Sequence, residues 1–221
     1  MVALPLFPLG GVLLPGARMP LQLFEPRYLE LAQHLALEPE DERRFGIIRI
    51  RHGHEVGDGA ATDLHEIGCE ARVDAMALSR GDAGTVVHLV ARGERRFRLD
   101  ALDDTAGSAF LTGSVTWLED TGVDDDPEVA ALAARVLTAH ARYLETLGAT
   151  TDPVQARPRD VAYRVAERMV LDPGDRQRVL DGSDAATRLR TVLSLLGRET
   201  AIVDRFSALP TPTDLGGASL N

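Results

Sequence analysis

The sequence predicts an α+β fold in which a β-rich part comes first and a helical bundle follows. Three observations carry this reading. Short segments with strand-like alternation, parted by Gly-containing turns, fill residues 1–119. The composition then turns acidic from Glu119 to Asp126 and ends in an Asp-Pro helix start. Beyond it, to residue 207, apolar residues recur at helical spacing. Strands and helices segregated in this way imply an α+β arrangement or two packed subdomains. The boundaries so read are 1–119 for the β subdomain and 120–207 for the helical bundle. The remainder, 208–221, is rich in Pro, Thr, Gly and Ser and is expected to be disordered.

The opening stretch from Leu4 to Tyr28 organises the rest. Five of the chain's 12 prolines (Pro5, Pro8, Pro15, Pro20 and Pro26) fall in it, with large aliphatic residues between them. Proline donates nothing to a ladder, so short extended segments are expected, broken at Gly10-Gly11 and Pro15-Gly16. Pro26 suits the first position of a helix. Tyr28, Leu29, Ala32, Leu35 and Ala36 then recur at helical spacing. Phe45 to Arg51 is a strand with apolar residues on both faces, hence an interior one. Cys69 to Ser79 alternates. Cys69, Ala71, Val73, Ala75 and Ala77 form a small-residue face suited to a barrel interior. Met76 and Leu78 follow Glu70, Arg72 and Asp74 on the other face, so this strand is expected to leave solvent and pass under cover at its end. Arg80 to Gly84 is a turn. Thr85 to Arg92 and Arg95 to Leu102 are strands joined by a turn at Gly93-Glu94, and Ala109 to Trp117 is the last. Such a series implies an antiparallel sheet or a closed barrel.

In the helical part, Asp126 is placed as N-cap, Pro127 at the first helical position and Glu128 in the first turn. Val129, Leu132, Val136, His140, Tyr143 and Leu147 form one stripe, closed by Gly148. A second helix covers Asp160 to Val170. A third starts at Asp172-Pro173 and stops near Gly182. The last starts at Ser183 or Asp184 and turns Leu189, Val192, Leu193, Leu196 and Val203 inward.

Several stretches carry a family resemblance. Leu4-Pro5-Leu6-Phe7-Pro8-Leu9, then Leu13-Leu14-Pro15-Gly16, then Pro20 through Tyr28 resemble the start of the Lon N-terminal domain, the substrate-binding part of the ATP-dependent protease Lon. Ile67 to Ala71, Gly93 to Arg98 and the Arg188-Leu189 helix extend the resemblance to about Leu4–Phe206. Ahead of the third helix, Val170-Leu171-Asp172-Pro173 departs from the Leu-Pro dipeptide the family would place there. The resemblance implies a PUA-like β-barrel followed by a helical bundle, in a domain that also occurs alone in many bacteria. It further implies a non-catalytic protein that binds an unfolded or extended polypeptide, or a partner protein.

Composition narrows the alternatives. The net charge of −10 works against a broad nucleic-acid surface. No apolar run approaches the ~20 residues that cross a bilayer, and no basic region precedes the apolar opening, so neither a membrane span nor an export signal is read. The single cysteine, Cys69, makes a reducing cytoplasm the simplest home. All 24 basic side chains are Arg. Without lysine there is no P-loop lysine and no serine–lysine dyad, both of which the full-length Lon protease of the resemblance needs. No cofactor is expected.

The candidate sites are each weighed against a plainer reading. His52, His54, His65 and Cys69 are zinc-type residues, but their spacing fits no zinc pattern; loop histidines and a buried thiol are the plainer reading. Arg92, Arg95, Arg96 and Arg98, with Arg43, Arg44, Arg49 and Arg51, could form a phosphate or RNA patch, as some PUA-like barrels do. Pairing with the 34 acidic residues is the alternative. No nucleophile elbow occurs. The remaining candidate is apolar. Leu14, Met19, Phe24, Tyr28, Met76 and Leu78 belong to a surplus beyond what a small barrel can hold. They are read as a peptide-binding groove that takes side chains into pockets or adds a strand to a sheet edge. Equally, they could join the two subdomains. An RNA-binding PUA-like protein and an enzyme of unrecognised chemistry stay open as alternative functions.

Overall fold

A computed structural model describes residues 2–52, 63–81, 84–103, 107–119 and 126–207. His54, Asp124, Asp125, the centre of the Arg80–Gly84 turn and the tail beyond residue 207 lie outside the described residues. The elements are β1 (Val2–Leu9), β2 (Arg18–Leu23), α1 (Pro26–Leu37), β3 (Arg44–His52), β4 (Asp63–Leu64), β5 (Ile67–Gly81), β6 (Gly84–Leu102) and β7 (Thr112–Leu118). They are followed by α2 (Pro127–Thr146), a 3₁₀ turn (Pro158–Asp160), α3 (Val161–Glu167), α4 (Pro173–Asp181) and α5 (Ala185–Ser207). The class is α+β, as expected. The chain divides into two compact units, one of Met1–Thr121 with Ala166–Gly182 and one of Gly122–Val165 with Ser183–Asn221.

The expected PUA-like β-barrel is corrected by the strand pairing. The strands form one seven-stranded sheet in the order β1-β7-β6-β5-β3-β4, with β2 branching off β6. β1 divides its length between neighbours. Val2–Pro5 pair antiparallel with β7, and Leu6–Leu9 pair parallel with β3. β1 changes partner midway, with Leu6 still donating to the Leu111 carbonyl at 2.8 Å, and the sheet is mixed and branched rather than a closed barrel. The prolines explain the division, since Pro5 and Pro8 can each offer only a carbonyl. One face of the curved sheet buries Leu4, Leu6, Ile48, Phe97 and Val115. Phe7 turns the other way, against Tyr28 of α1 at 4.3 Å and edge-on to Phe45. α1 begins at Pro26 and buries Tyr28, Leu31, Ala32 and Leu35.

No turn forms at Gly93-Glu94; β6 runs unbroken through it. Residues Val87–Arg92 pair with β2, and Arg96–Leu102 pair with β7, so β6 exchanges one neighbour for another around Gly93. The loop after β1 docks there. Gly16 donates to the Gly93 carbonyl at 2.7 Å, and Gly93 donates to Ala17 at 2.9 Å. A Cβ at Gly93 would stand 2.3 Å from the Leu14 carbonyl oxygen. The glycine therefore serves a close backbone approach. Gly16 has φ +79°, which a side chain would strain.

The face assignment along β5 also changes. The β5–β6 register shifts between Val73 and Ala75, leaving Asp74 as a bulge residue. An extra residue inverts the alternation beyond it. Met76 and Leu78, opposite Leu89 and Val87, therefore share the face of Val73 and Ala91. Ala75 and Ala77 turn to the opposite, solvent side and are exposed. The strand starts buried and ends exposed, the reverse of the expectation. β7 is also shorter than expected, starting at Thr112.

α4 is anchored to the sheet within the first unit. Arg96, only 2% exposed, donates from Nη1 to the carbonyls of Leu180 at 2.9 Å and Gly182 at 2.7 Å. A guanidinium at a helix C-terminus satisfies orphan carbonyls and complements the dipole. Gln177 donates to the Ile67 carbonyl at 3.0 Å. In the second unit the helix signals hold. Asp126 accepts from the Glu128 N–H at 2.8 Å, and Asp184 accepts from the Thr187 N–H at 2.7 Å. That bond, with help from Ser183, holds the Asp184 carboxyl below its ordinary range. Val129, Leu132, Val136, His140 and Tyr143 are buried, whereas Leu147 is exposed. From α5, Leu189, Val192, Leu195 and Leu196 point inward.

Candidate functional site

A concavity in the first unit lies between α1 and the outer end of the β5–β6 hairpin. Its volume is about 530 Å³, and it is lined by Leu29, Ala32, Gln33, Ala36, Met76, Leu78, Arg80, Thr85 and Val87. The hairpin supplies one face of paired residues, Met76 beside Leu89, Leu78 beside Val87 and Arg80 beside Thr85. The bulge at Asp74 is what turns Met76 and Leu78 toward α1. Leu78 is 58% exposed, which leaves a large apolar side chain open to solvent beside the groove. A second concavity, about 400 Å³, lies over the other part of this wing and involves Pro20, Ala75, Met76, Ala77, His88 and Val90.

The six sequence-predicted residues are not brought into one place. Met76 and Leu78 line the groove. Phe24, 54% exposed, shares with Tyr28 a small concavity of about 80 Å³ beside Phe7 and Pro8. Tyr28 is otherwise buried under Arg27, whose guanidinium lies 4.6 Å from the ring centre. Leu14 is 1% exposed and belongs to the core. Met19 sits on β2 opposite Ala91. Sequence reasoning missed Gln33, Arg80, Thr85 and Val87 as lining residues. The hairpin pairing of Thr85 and Val87 with the Met76 face was the available signal, but it needs the bulge to be known.

The arginine clusters are occupied by neighbours within the chain. Arg18, Arg92 and Arg72 stand directly opposite one another across β2, β6 and β5. All three reach Asp74, at 3.1, 2.7 and 3.4 Å respectively. The Arg92 hydrogen bond is the main reason the Asp74 carboxyl is held below its usual range. Arg95 grips Glu70 at 2.6 Å and lies 3.6 Å over the Trp117 ring. Arg98 pairs with Asp100 at 3.0 Å, and Arg44 with Glu94 at 3.0 Å. Arg43 donates to the Glu38 carbonyl, and Arg51 lies 3.8 Å from Asp63. These contacts spend the cations locally and leave little for a phosphate backbone.

The zinc-type residues are also separated. His52 pairs with Asp63 at 2.6 Å. His65 faces Arg49 at 3.4 Å; burial first, then that positive charge, lowers its pKa. Cys69 is buried on the inner sheet face. Among the described residues no three His, Cys, Asp or Glu side chains are grouped to hold a metal ion. No described helix is long and apolar enough to cross a membrane.

Comparison with known proteins follows the same lines. Residues 3–198 match the family described as the ATP-dependent protease La (LON) substrate-binding domain. The Lon protease of Anaeromyxobacter dehalogenans is 30% identical over 207 residues, which cover 90% of this chain and 24% of the relative. Lon protease 2 of Myxococcus xanthus is 28% identical over 207 residues, with the same coverage of 90% and 24%. The chain thus spans about a quarter of the length of these curated relatives. Among solved structures, a Lon N-terminal domain protein from Xanthomonas campestris superposes with a TM-score of 0.61 at 31% identity, covering 88% of this chain and 98% of that one. The N-terminal domain of a Mycobacterium avium complex Lon protease gives 0.65 at 19% identity, over 89% and 98%, and speaks to the fold alone.

Proposed function

The chain belongs to the family of the Lon substrate-binding domain, and on that footing we infer that it is a non-catalytic module holding extended or unfolded polypeptide against the groove between α1 and the β5–β6 hairpin. The match is to the substrate-binding part of Lon, and these 221 residues contain no lysine for a P-loop or a serine–lysine dyad. The observation that carries the reading is the groove itself. Its lining is apolar apart from Gln33, Arg80 and Thr85, and an exposed Leu78 stands beside it. Such a surface offers burial to apolar side chains and carries no acid–base pair or nucleophile. A folded partner protein presenting an extended segment would use the same surface. The paired state of the arginines supports polypeptide over RNA as the ligand. A cytoplasmic location fits the lone, buried thiol of Cys69.

The test is binding of a permanently unfolded protein, such as reduced and carboxymethylated lactalbumin, at low and high salt. Apolar burial gives an affinity that holds or rises with salt, whereas an RNA surface gives one that falls steeply. The purified chain is expected to show no ATPase or peptidase turnover. Steeply salt-dependent RNA binding, or turnover abolished by one point substitution, would refute the assignment.

A further inference from the structure

β5 is covered by β3 only at its buried end. The pairing runs from Ile47 opposite Cys69 to Arg44 opposite Arg72, and closes with Val73 donating to Arg43 at 3.0 Å. Beyond it, Ala75–Gly81 is laddered to β6 alone, and among the described residues no strand lies on its outer side. Exposed edges are usually blunted by charge, proline or a bulge within them. Here the five residues Ala75 to Ser79 are uncharged and contain no proline. The groove lies above this edge, through Met76 and Leu78, and the second concavity lies below it, through Ala75 and Ala77. At the far end of the groove Arg80 is exposed and has no ion-pair partner among the described residues, unlike the arginines around Asp74.

We propose that the outer edge of β5, Ala75–Gly81, takes an extended segment of unfolded polypeptide as an added strand, with an internal acidic side chain of that segment paired to Arg80. The proposal rests on the polypeptide-binding reading and specifies its mode. Side chains of an added strand that face the groove recur every second residue. Met76, Leu78 and Arg80 therefore select two apolar residues and one Asp or Glu at alternate positions, read in the direction the pairing sets. The backbone ladder supplies affinity without sequence preference, and the alternate pockets supply the preference.

The experiment uses fluorescein-labelled peptides with a Leu-x-Leu-x-Glu core and the reversed Glu-x-Leu-x-Leu core, titrated with the intact chain. One of the two binds. N-methylation of alternate backbone amides lowers its affinity tenfold or more. Replacing its Glu by Lys lowers affinity about threefold, in keeping with an exposed ion pair, and Arg80→Glu restores it. Binding that tolerates N-methylation and is indifferent to the charge exchange overturns strand addition while leaving the polypeptide-binding reading intact. Failure of both peptides, with unfolded lactalbumin still bound, overturns the proposal alone; failure of both probes overturns the reading as well. A concentration-dependent dimer that displaces the peptide assigns the edge to a second copy, and that too overturns the proposal. Arg80 is exposed, so the circular-dichroism spectrum and melting temperature of Arg80→Glu are expected to match the parent.

Discussion

Arg92 grips Asp74 at the point where β5 bulges, with Nη2 at 2.7 Å and Nε at 2.9 and 3.0 Å from the two carboxylate oxygens. The carboxylate also serves Arg18 and Arg72, so, with Glu94 sharing Arg72 at 3.3 Å, it holds together a row of three cations that would otherwise repel across adjacent strands. Asp74→Asn is expected to lower the melting temperature at neutral pH. The folded carboxyl titrates below its unfolded counterpart, so its contribution is complete above the ordinary Asp range and fades as pH falls through the depressed value. The melting-temperature gap between parent and variant should therefore close on acidification. A gap that stays constant to low pH would show that the carboxylate contributes through something other than its charge.

Gly93→Ala puts a methyl group 2.3 Å from the Leu14 carbonyl oxygen, a backbone atom that cannot swing aside. The loop from Leu14 to Ala17 must shift, at a cost of about 1–3 kcal/mol typical of overpacking. Urea denaturation measures it. Gly11→Ala, with open space around the added atom, is the control and should stay within about 0.5 kcal/mol.

Leu78→Asp and Leu14→Asp separate binding from folding. Leu78 is largely exposed, so Leu78→Asp should change stability by no more than about 0.5 kcal/mol. Its capture of unfolded lactalbumin should fall about tenfold, or about 1.4 kcal/mol. Leu14→Asp buries a charge in the core and should unfold the chain. Equal capture by parent and Leu78→Asp would remove the groove from consideration.

Arg96→Met tests the anchoring of α4. It removes two charge-assisted bonds from the helix's terminal carbonyls and leaves the carbonyls of Leu180 and Gly182 to find other partners. A loss of about 2–4 kcal/mol follows. Hydrogen exchange should accelerate first in α4, residues Pro173–Asp181. Uniform acceleration throughout the sheet would place the role of Arg96 elsewhere.

The helical half was readable because its signals are local. Asp126 with Pro127, Asp172 with Pro173, and Asp184 each mark a helix start through a bond spanning two or three residues. The sheet was less readable because its decisive events are non-local. Gly93 has the neighbours of a turn glycine, yet its function is fixed by Leu14, far away in the chain. The bulge at Asp74 leaves no mark in composition, and it reverses which of Ala77 and Leu78 faces the groove. Likewise the sharing of β1 between β7 and β3 follows from where each partner ends. Of the candidate site, Met76 and Leu78 stood out as apolar surplus. Leu14 and Tyr28 looked the same in sequence and are core, since only packing distinguishes a buried leucine from an exposed one.

The exchange of neighbours along β6 also bears on how this protein could diversify. Everything outward of Val73 hangs on a strand whose inner half is already fixed by β5 and β7. The exposed Leu78 and Arg80 can therefore be rewritten with little loss of stability, and the half-buried Met76 by other apolar residues. Under the proposed strand addition, a library varied at these three sites within those limits would retune which peptides bind, while the scaffold beneath keeps its melting point.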